Sequence, residues 1–281
     1  MHIALAIVIM DWASASVNVS NIIPKCQRIQ HLVLQKADLK DRHVALLSSF
    51  LGDLVSINLS ECMLTESSLF ALNKKCPSLN EIIMACTRIA HGIERNCVVS
   101  PQLKYIRLAD NYKLQNKKIV MFASNFPNLE LLDLSNCFDI SEEGICHVLR
   151  RCSKIRHLNL SRCSIVKLLG MNFEAQLEVL NLSYTRVGDE DLYVISKRCP
   201  RLLQLSLQNC ENITIEGVIH VVKNCTQLRE INLHHCHEVN ANVVVSMVRL
   251  RPSLRKIAAP PNFPLSDENR KLFLRHGCHL E

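Results

Sequence analysis

One spacing of aliphatic residues recurs along almost the whole chain and limits its fold more than any other feature. Leu54, Ile57 and Leu59 stand at positions i, i+3 and i+5. The same triplet returns every 22 to 26 residues, in the sets Ile29/Leu32/Leu34, Leu79/Ile82/Met84, Leu103/Ile106/Leu108, Leu129/Leu132/Leu134, Ile155/Leu158/Leu160, Leu177/Leu180/Leu182, Leu202/Leu205/Leu207 and Leu228/Ile231/Leu233. A unit this short cannot bury its apolar face alone, so the period predicts stacked coils that share one core.

The sequence between two triplets predicts a short strand followed by a helix. After Leu134, Ser141 suits an N-cap. Ile145, Val148 and Leu149 then stand at i, i+3 and i+4, the stripe of a helix that packs on one side. The period and the L-x-x-L-x-L pattern are those of a leucine-rich repeat. We therefore predict an α/β leucine-rich-repeat solenoid, a horseshoe with parallel strands on the concave face and helices on the convex face.

The repeat pattern also predicts the domain organisation. Residues 1–28 should hold a partial N-terminal repeat, because the triplet spacing continues into them. Residues 29–257 hold the repeats of about 25 residues, and residues 258–281 form a C-terminal cap over the exposed end of the core. Two units depart from the pattern. The unit 79–102 carries a poor helix signal, so we expect an irregular outer segment there. The unit 155–176 is short at 22 residues and has Gly170 inside its outer segment, and either unit could change the local curvature.

The chain has fourteen cysteines, and their placement follows the repeat. We call the first residue of each triplet its first anchor. Five cysteines precede a first anchor by three residues: Cys26, Cys76, Cys152, Cys199 and Cys225. Five others follow a first anchor by eight residues: Cys62, Cys137, Cys163, Cys210 and Cys236. A free cysteine behaves as a small buried apolar residue with a weak S–H donor. We predict reduced thiols that fill the corner after each strand and donate to a loop carbonyl, as expected in an intracellular compartment.

The formal net charge of +7 does not by itself predict a nucleic-acid partner. Arg150, Arg151, Lys197 and Arg198 come in the last turns of predicted helices, where a cation favours the negative end of the helix dipole. No basic run interleaved with aromatic residues occurs. The apolar run 3–10 is much shorter than the roughly 20 residues that span a bilayer, so no membrane partner is predicted either.

Metal and catalytic sites find little support in the sequence. The cluster His234-His235-Cys236-His237 could supply zinc ligands, but Cys236 is a phased, inward cysteine and no second pair is phased to meet the cluster. Cys86 and Cys97 are unphased, and a catalytic thiol would need a partly exposed, electropositive site. No phosphate-binding glycine loop occurs. We expect no catalytic residues, no metal and no cofactor.

The concave surface remains as the expected site of function. Most residues between the anchors should simply be solvated, but tyrosine and arginine are enriched at binding hot spots. The stretch richest in such residues predicts a partner-binding patch made of Tyr105, Arg107, Leu131, His157, Arg162 and Tyr184. Asn159, Asn181 and Asn232 form a second row that could instead hydrogen-bond along the sheet. The expected partner is a protein substrate on this face.

One unit, C-P-x-L-x-x-L-x-L-x-x-C, runs from Cys199 to Cys210 and continues with Ile213 and Gly217. It resembles the cysteine-containing subclass of leucine-rich repeats, which is most typical of F-box/leucine-rich-repeat proteins, and the ending at 261–266 is similar to plant members. The resemblance implies substrate recognition for an SCF-type E3 ubiquitin ligase, in which the repeats hold a target while other subunits transfer ubiquitin. It also implies a cytoplasmic or nuclear protein.

The sequence departs from that family ahead of the repeats. The family's F-box is a helical module that grips the adaptor Skp1, but only 28 residues precede Ile29 and no F-box fits them. The resemblance therefore supports the substrate-reading half and leaves contact with Skp1 and cullin open. The alternative is a free-standing binding or inhibitor scaffold, similar to the ribonuclease-inhibitor type and unrelated to ubiquitin.

Overall fold

The computed structural model describes residues 28–89, 99–163, 168–264 and 266–281. Within them, short parallel strands pair in sequence order into one sheet. The strands are β1 (His31–Val33), β2 (Ser56–Asn58), β3 (Glu81–Ile83), β4 (Tyr105–Arg107), β5 (Leu131–Asp133), β6 (His157–Asn159), β7 (Val179–Asn181), β8 (Gln204–Ser206), β9 (Glu230–Asn232), β10 (Lys256–Ala258) and β11 (His279–Leu280). Each strand from β1 to β10 begins two residues after a first anchor, as the triplet predicts.

The segments that return from one strand to the next carry helices on the outer side of the sheet. They are α1 (Asp41–Leu47), α2 (Glu66–Lys75), α3 (Asn116–Asn125), α4 (Glu142–Arg151), α5 (Asp189–Arg198), α6 (Ile215–Asn224), α7 (Val243–Leu250) and α8 (Asp267–His276). Because the strands point the same way and each helix follows its own strand, the outer helices run parallel to one another. The predicted solenoid, with parallel strands on the concave face and helices on the convex face, is confirmed.

Equivalent residues of successive coils lie in register and build the core. Leu132 on β5 lies opposite Ile106 on β4 and Leu158 on β6. All three side chains are buried. Within β5 the middle residue is buried while Leu131 and Asp133 on either side are only partly so. This alternation turns the middle anchor of each coil inward and leaves its strand neighbours on the concave face.

Polar side chains of one coil position the helix start of the next. Asp189 accepts hydrogen bonds from the backbone N–H and the hydroxyl of Thr214, at 2.8 and 2.7 Å. Thr214 is the N-cap of α6, and its hydroxyl oxygen accepts from the N–H of Glu216. Ser141 stands at the predicted N-cap of α4, but its hydroxyl oxygen accepts from the side-chain amide of Asn116 instead, at 2.6 Å. The helices are therefore tied together across coils at their N-terminal ends.

The five cysteines that follow a first anchor by eight residues take the corner position predicted for them, where each donates its S–H to a carbonyl of the preceding coil. The Sγ···O distances are 3.1, 3.1 and 3.0 Å in the pairs Cys62–Leu34, Cys163–Leu134 and Cys236–Leu207. Where a coil lacks the cysteine, the side-chain amide of Asn111 donates to the carbonyl of Met84 at 2.9 Å. The corner position therefore requires a small buried donor rather than cysteine chemistry.

The described cysteines are all free thiols. Burial raises the pKa of Cys163 and Cys236 to about 11, although hydrogen bonds from backbone groups oppose the effect. A buried thiol with a raised pKa is a poor nucleophile. Cys26 and Cys97 lie outside the described residues.

The irregular units and the chain ends meet the expectations only in part. In the unit 155–176, the described residues 168–176 contain no helix. In the unit 79–102, residues 90–98 lie outside the described part of the chain. The partial repeat expected in residues 1–28 also lies outside it, apart from Arg28.

Candidate protein-binding surface

One residue in the turn after each strand borders the concave face in a strained backbone conformation. At the position seven residues after each first anchor, the backbone angle φ is positive, between 51 and 63°. The residues are Lys36, Glu61, Cys86, Asp110, Asn136, Arg162, Tyr184, Asn209 and His235. A side chain in this left-handed region costs about 1–2 kcal/mol. The N–H groups of Arg162 and Tyr184 donate to carbonyls of the next coil at 2.8 and 2.7 Å, which helps to offset the strain.

The row of asparagines on the strands does not hydrogen-bond along the sheet, which corrects that expectation from the sequence. Each side-chain oxygen instead accepts from the backbone N–H two residues later. The N···O distances are 3.1, 3.0 and 2.9 Å in the pairs Asn159–Ser161, Asn181–Ser183 and Asn232–His234. The hydrogen bonds within the turns occupy the side-chain oxygens, so these asparagines can offer their N–H donors to a partner.

Tyr105 and Arg107 on β4 lie among carboxylates. The Tyr105 hydroxyl donates to Glu130 at 3.2 Å, and the Lys104 ammonium lies 2.8 Å from the same carboxylate. Arg107 Nε lies 3.4 Å from Glu81 Oε1. Burial and the nearby Glu130 carboxylate raise the pKa of Tyr105, and the Lys104 ammonium lowers the pKa of Glu130. These contacts hold the two side chains in place, which reduces the entropy that a partner must remove on binding.

Two further residues of the expected patch continue this surface across the sheet. Leu131 on β5 lies opposite Tyr105 on β4 and opposite His157 on β6. Neighbouring strands are about 4.8 Å apart, so the three side chains form a contiguous row. Leu131 is half-buried and His157 is exposed.

The last two residues of the expected patch lie in the turn row and form a stacked pair. The Arg162 guanidinium lies 4.3 Å from the ring centroid of Tyr184, a cation–π contact between neighbouring coils. Gln208 donates its side-chain amide to the Tyr184 hydroxyl at 3.2 Å. The expected patch therefore consists of two sets: four strand residues on β4 to β6, and the Arg162–Tyr184 stack at the edge of the face.

A polar hollow that sequence reasoning missed lies over β7 to β10. It encloses about 300 Å3, and its polar lining consists of Asn181, Gln204, Ser206, Glu230, Asn232, Lys256 and Glu281. At its end the Lys256 ammonium lies 2.9 Å from the Glu281 carboxylate. The only sequence signal for it was the shared position of the strand residues within successive repeats.

The structure separates the residues of the tempting histidine cluster. Cys236 is buried and donates to a backbone carbonyl, whereas the rings of His234 and His235 lie together on the surface, with centroids 4.2 Å apart. In the described ranges no group of three or more His, Cys, Asp or Glu residues could hold a metal ion. Cys86 is exposed and lies in the turn row.

Membrane insertion has no support from the helices. Between residue 28 and residue 281, leaving aside the stretches not described, no helix combines the length and the apolar character needed to cross a bilayer.

Comparison with known sequences finds F-box proteins among the relatives, although no family model matches the chain. F-box protein MAX2 of Arabidopsis thaliana is 25% identical over 237 residues, which cover 72% of this chain and 33% of that protein. F-box/LRR-repeat protein 4 of Bos taurus is 28% identical over 127 residues, 43% of this chain and 20% of that protein. Antagonist of mitotic exit network protein 1 of Eremothecium gossypii is 28% identical over 123 residues, 41% of this chain and 31% of that protein.

Two solved structures share the architecture. A chain of the yeast Rad7–Elc1 complex superposes with a TM-score of 0.51 and 15% identity, covering 91% of this chain and 81% of that one. The TLR13–ssRNA13 complex gives a TM-score of 0.56 and 15% identity, covering 84% of this chain and 33% of that one. The fold is a leucine-rich-repeat solenoid. At this identity the solved structures establish the fold alone.

The sequence relatives confirm the expected resemblance to F-box/leucine-rich-repeat proteins. The chain spans about a third or less of the length of the curated relatives reported above. Together, relatives and architecture support a protein-binding leucine-rich-repeat scaffold.

Proposed function

We propose that this solenoid holds a target protein on its concave face as the substrate-recognition part of an SCF-type E3 ubiquitin ligase. The observation that carries the proposal is the contiguous row Tyr105, Leu131 and His157 across three parallel strands. Tyrosine and arginine held by fixed neighbours in the middle of an open face are typical of binding hot spots. The F-box proteins among the relatives support the link to ubiquitin.

The proposed mechanism is presentation of the target. The solenoid binds the target and keeps it within reach of the subunits that transfer ubiquitin, and the chain itself performs no catalysis. Skp1 and a cullin are the proposed further partners, reached through protein outside the repeats. The proposed compartment is the cytoplasm, the nucleus or both.

Each set of concave residues has a proposed role in binding. Tyr105 and Leu131 offer apolar area beside a charge-paired Arg107, and the Arg162–Tyr184 stack offers a flat cationic edge. The asparagine N–H donors face a partner that supplies acceptors, such as the carbonyl groups of an extended segment. A protein target therefore fits this face better than a nucleic acid, which would need a basic surface.

Paired substitutions test the concave face. Tyr105→Ala with Arg107→Ala should weaken target binding by about 2 kcal/mol or more, the range of hot-spot residues. Binding of a co-purified target is measured by titration, and circular dichroism checks the fold. The matched control is Tyr112→Ala with Arg88→Ala, because both residues are exposed but lie on the loops beside the face. Equal binding by the two double variants would remove the Tyr105 row from the site.

Affinity purification of the full-length protein tests the ubiquitin link. Recovery of Skp1, a cullin and a target whose ubiquitination requires the solenoid would support the proposal. Recovery of a target with no ubiquitin components would instead favour the free-standing binding or inhibitor scaffold.

A further inference from the structure

The convex side carries a groove between α4 and α5. α3 packs along α4 and α5 packs along α6, whereas α4 and α5 do not pack along each other. The described residues 168–176 between them form no helix. The wall on the α4 side is formed by Glu143, Cys146, His147 and Arg150, around a hollow of about 610 Å3. We call the space between α4 and α5 the convex groove.

A second hollow of about 350 Å3 lies over α5. Leu169, Tyr193 and Val194 form its apolar lining, and Glu216 and His220 of α6 close its far side. Leu169 and Tyr193 are 42% and 48% exposed, so large apolar area faces solvent here. Gly170, next to Leu169, borders the hollow on the α4 side. Because Leu169 and Gly170 are consecutive, the same loop borders both hollows.

The floor of the convex groove is fixed to both walls. The backbone N–H of Gly170 donates to the Glu142 carboxylate of α4, and the N–H of Leu168 donates to the Asp191 carboxylate of α5 at 2.8 Å. An added Cβ at Gly170 would come within 2.7 Å of the Glu142 carboxylate, so that flexible side chain would have to shift. The groove is thus a built feature with a rigid floor.

The charges at the two ends of the convex groove have opposite sign. The first turns of α4 and α5 carry Glu142, Glu143, Asp189, Glu190 and Asp191, and their last turns carry Arg150, Arg151, Lys197 and Arg198. The helix dipoles are positive at the N-terminal ends and negative at the C-terminal ends, so they offset part of these side-chain charges without reversing them, since each dipole end amounts to about half a charge. A helix lying antiparallel to both would meet favourable charges at each end. A helix lying parallel to them would meet repulsion.

We propose that the convex groove binds an amphipathic helix of a partner protein, antiparallel to α4 and α5. Such a helix carries acidic residues in its first turn, basic residues in its last turn and an apolar stripe at i, i+3 and i+7 that covers Leu169 and Tyr193. α4 has ten residues, about 15 Å at 1.5 Å per residue, so about three turns of the partner helix contact the groove. This site is independent of the concave face.

The alternative occupant is a second copy of the chain. α8 has acidic residues in its first turn, basic residues in its last turn and an exposed Leu274. Insertion of α8 into the groove of another copy would be a head-to-tail contact, which builds open filaments unless the rotation closes a ring. A helix of a different protein avoids this assembly.

Two synthetic peptides test the proposal on the full chain. The first is an 18-residue leucine-faced helix, about 27 Å long, with glutamates in its first turn and lysines in its last turn. The second has the same composition with the charged ends exchanged. Fluorescence anisotropy should show that the first peptide binds about tenfold more tightly, and high salt should reduce this preference.

Three variants locate the binding. Leu169→Arg should abolish binding of the first peptide, and Glu143→Lys with Glu190→Lys should favour the second peptide. Leu46→Arg is the control, because Leu46 is an exposed leucine on α1, far along the solenoid. The proposal would be overturned if the two peptides bound equally well or if neither bound. It would also be overturned if Leu169→Arg and Leu46→Arg lost the same affinity for the first peptide. Concentration-dependent self-association that Leu169→Arg abolishes would overturn it too, since this would assign the groove to a second copy.

Discussion

The units 79–102 and 155–176 both depart from the repeat pattern, but the helices on either side of them are related in different ways. Around the unit 79–102, side chains bridge α2 and α3 directly. Lys118 Nζ lies 2.6 Å from Glu66 Oε1, with both side chains buried. The Phe70 ring lies 6.2 Å from Phe126 between centroids. Around the unit 155–176, by contrast, no hydrogen bond, ion pair or ring contact joins α4 to α5 in the residues that the structure describes.

The difference follows from the size of the side chains on the flanking helices. α2 and α3 face each other with aromatic rings, Phe70 against Phe122 at 6.3 Å, and a long ion pair beside them. On the α4 wall of the convex groove, Cys146 and His147 are short, and the longer Arg150 contacts Asn172 and the Phe173 ring of the intervening loop rather than α5. Large side chains thus bring α2 and α3 into direct contact, whereas the convex groove separates α4 from α5.

The largest expected effect concerns the ion pair between α2 and α3. Lys118→Met should lower the free energy of unfolding by about 3–5 kcal/mol, because it leaves the Glu66 carboxylate buried without its counter-ion. One Glu66 oxygen already has no hydrogen-bond partner. Urea unfolding measures the loss. Lys113→Met, at an exposed lysine, is the control and should stay within about 0.5 kcal/mol.

A double variant sharpens this test. Glu66→Met with Lys118→Met should recover most of the stability, since packed apolar side chains can replace a buried ion pair. A loss for Lys118→Met no larger than that of the Lys113 control would show that the pair does not hold α2 to α3.

A smaller effect is expected at the groove floor. Asp191 accepts from the N–H groups of Leu168 and Gly188, at 2.8 and 3.0 Å. Asp191→Ala should cost about 1–3 kcal/mol, because both donors lose their acceptor. Thermal unfolding measures the cost, and hydrogen exchange at Leu168 should speed up. Glu190→Ala changes an exposed neighbour and should do neither. An unchanged hydrogen-exchange rate at Leu168 would show that Asp191 does not hold the floor of the convex groove in place.

Thiol labelling distinguishes the open region from the closed one. Cys146 lines the convex groove and is 7% exposed, whereas Cys76 at the end of α2 is fully buried. Burial raises the pKa of both thiols, that of Cys76 to about 11. Iodoacetamide should therefore label Cys146 before Cys76 in the native protein, and mass spectrometry should find equal rates for these two thiols after unfolding. Equal native rates would show that the groove gives no access.

The smallest effect on stability is expected at Leu169. Leu169→Arg should change the free energy of unfolding by no more than about 0.5 kcal/mol, because the side chain is 42% exposed and ends in solvent. Chemical denaturation checks this value. A loss above 1.4 kcal/mol, a tenfold change in the equilibrium constant, would mean that Leu169 belongs to the core and not to a docking surface.

Local spacing was sufficient to predict much of this molecule. The alternation around Leu132 identified the inward anchors, and the offset of Cys163 from its first anchor identified the corner donors. The sequence did not predict the partner of a polar side chain that has more than one hydrogen-bonding group within reach. Ser141 bonds to Asn116 of the preceding coil rather than to its own helix. Asn181 bonds within its own turn rather than along the sheet.

The candidate site shows the same division. The row Tyr105, Leu131 and His157 could be named in advance, because equivalent positions of successive repeats stack in register. The turn position of Arg162 was also predictable, but its positive φ and its stack on Tyr184 were not. Those features depend on the path of the chain between coils, which the identity of a single residue does not reveal.

The sequence by itself determined the solenoid, the inward face of each strand and the buried thiols, since each follows from spacing within one 22- to 26-residue unit. Only the tertiary structure decided what happens between units. The ion pair of Glu66 and Lys118 joins residues 52 positions apart, and the floor of the convex groove is tied to helices on both sides. Such contacts depend on how large the side chains of neighbouring coils are and how far they reach, and no repeat pattern encodes that.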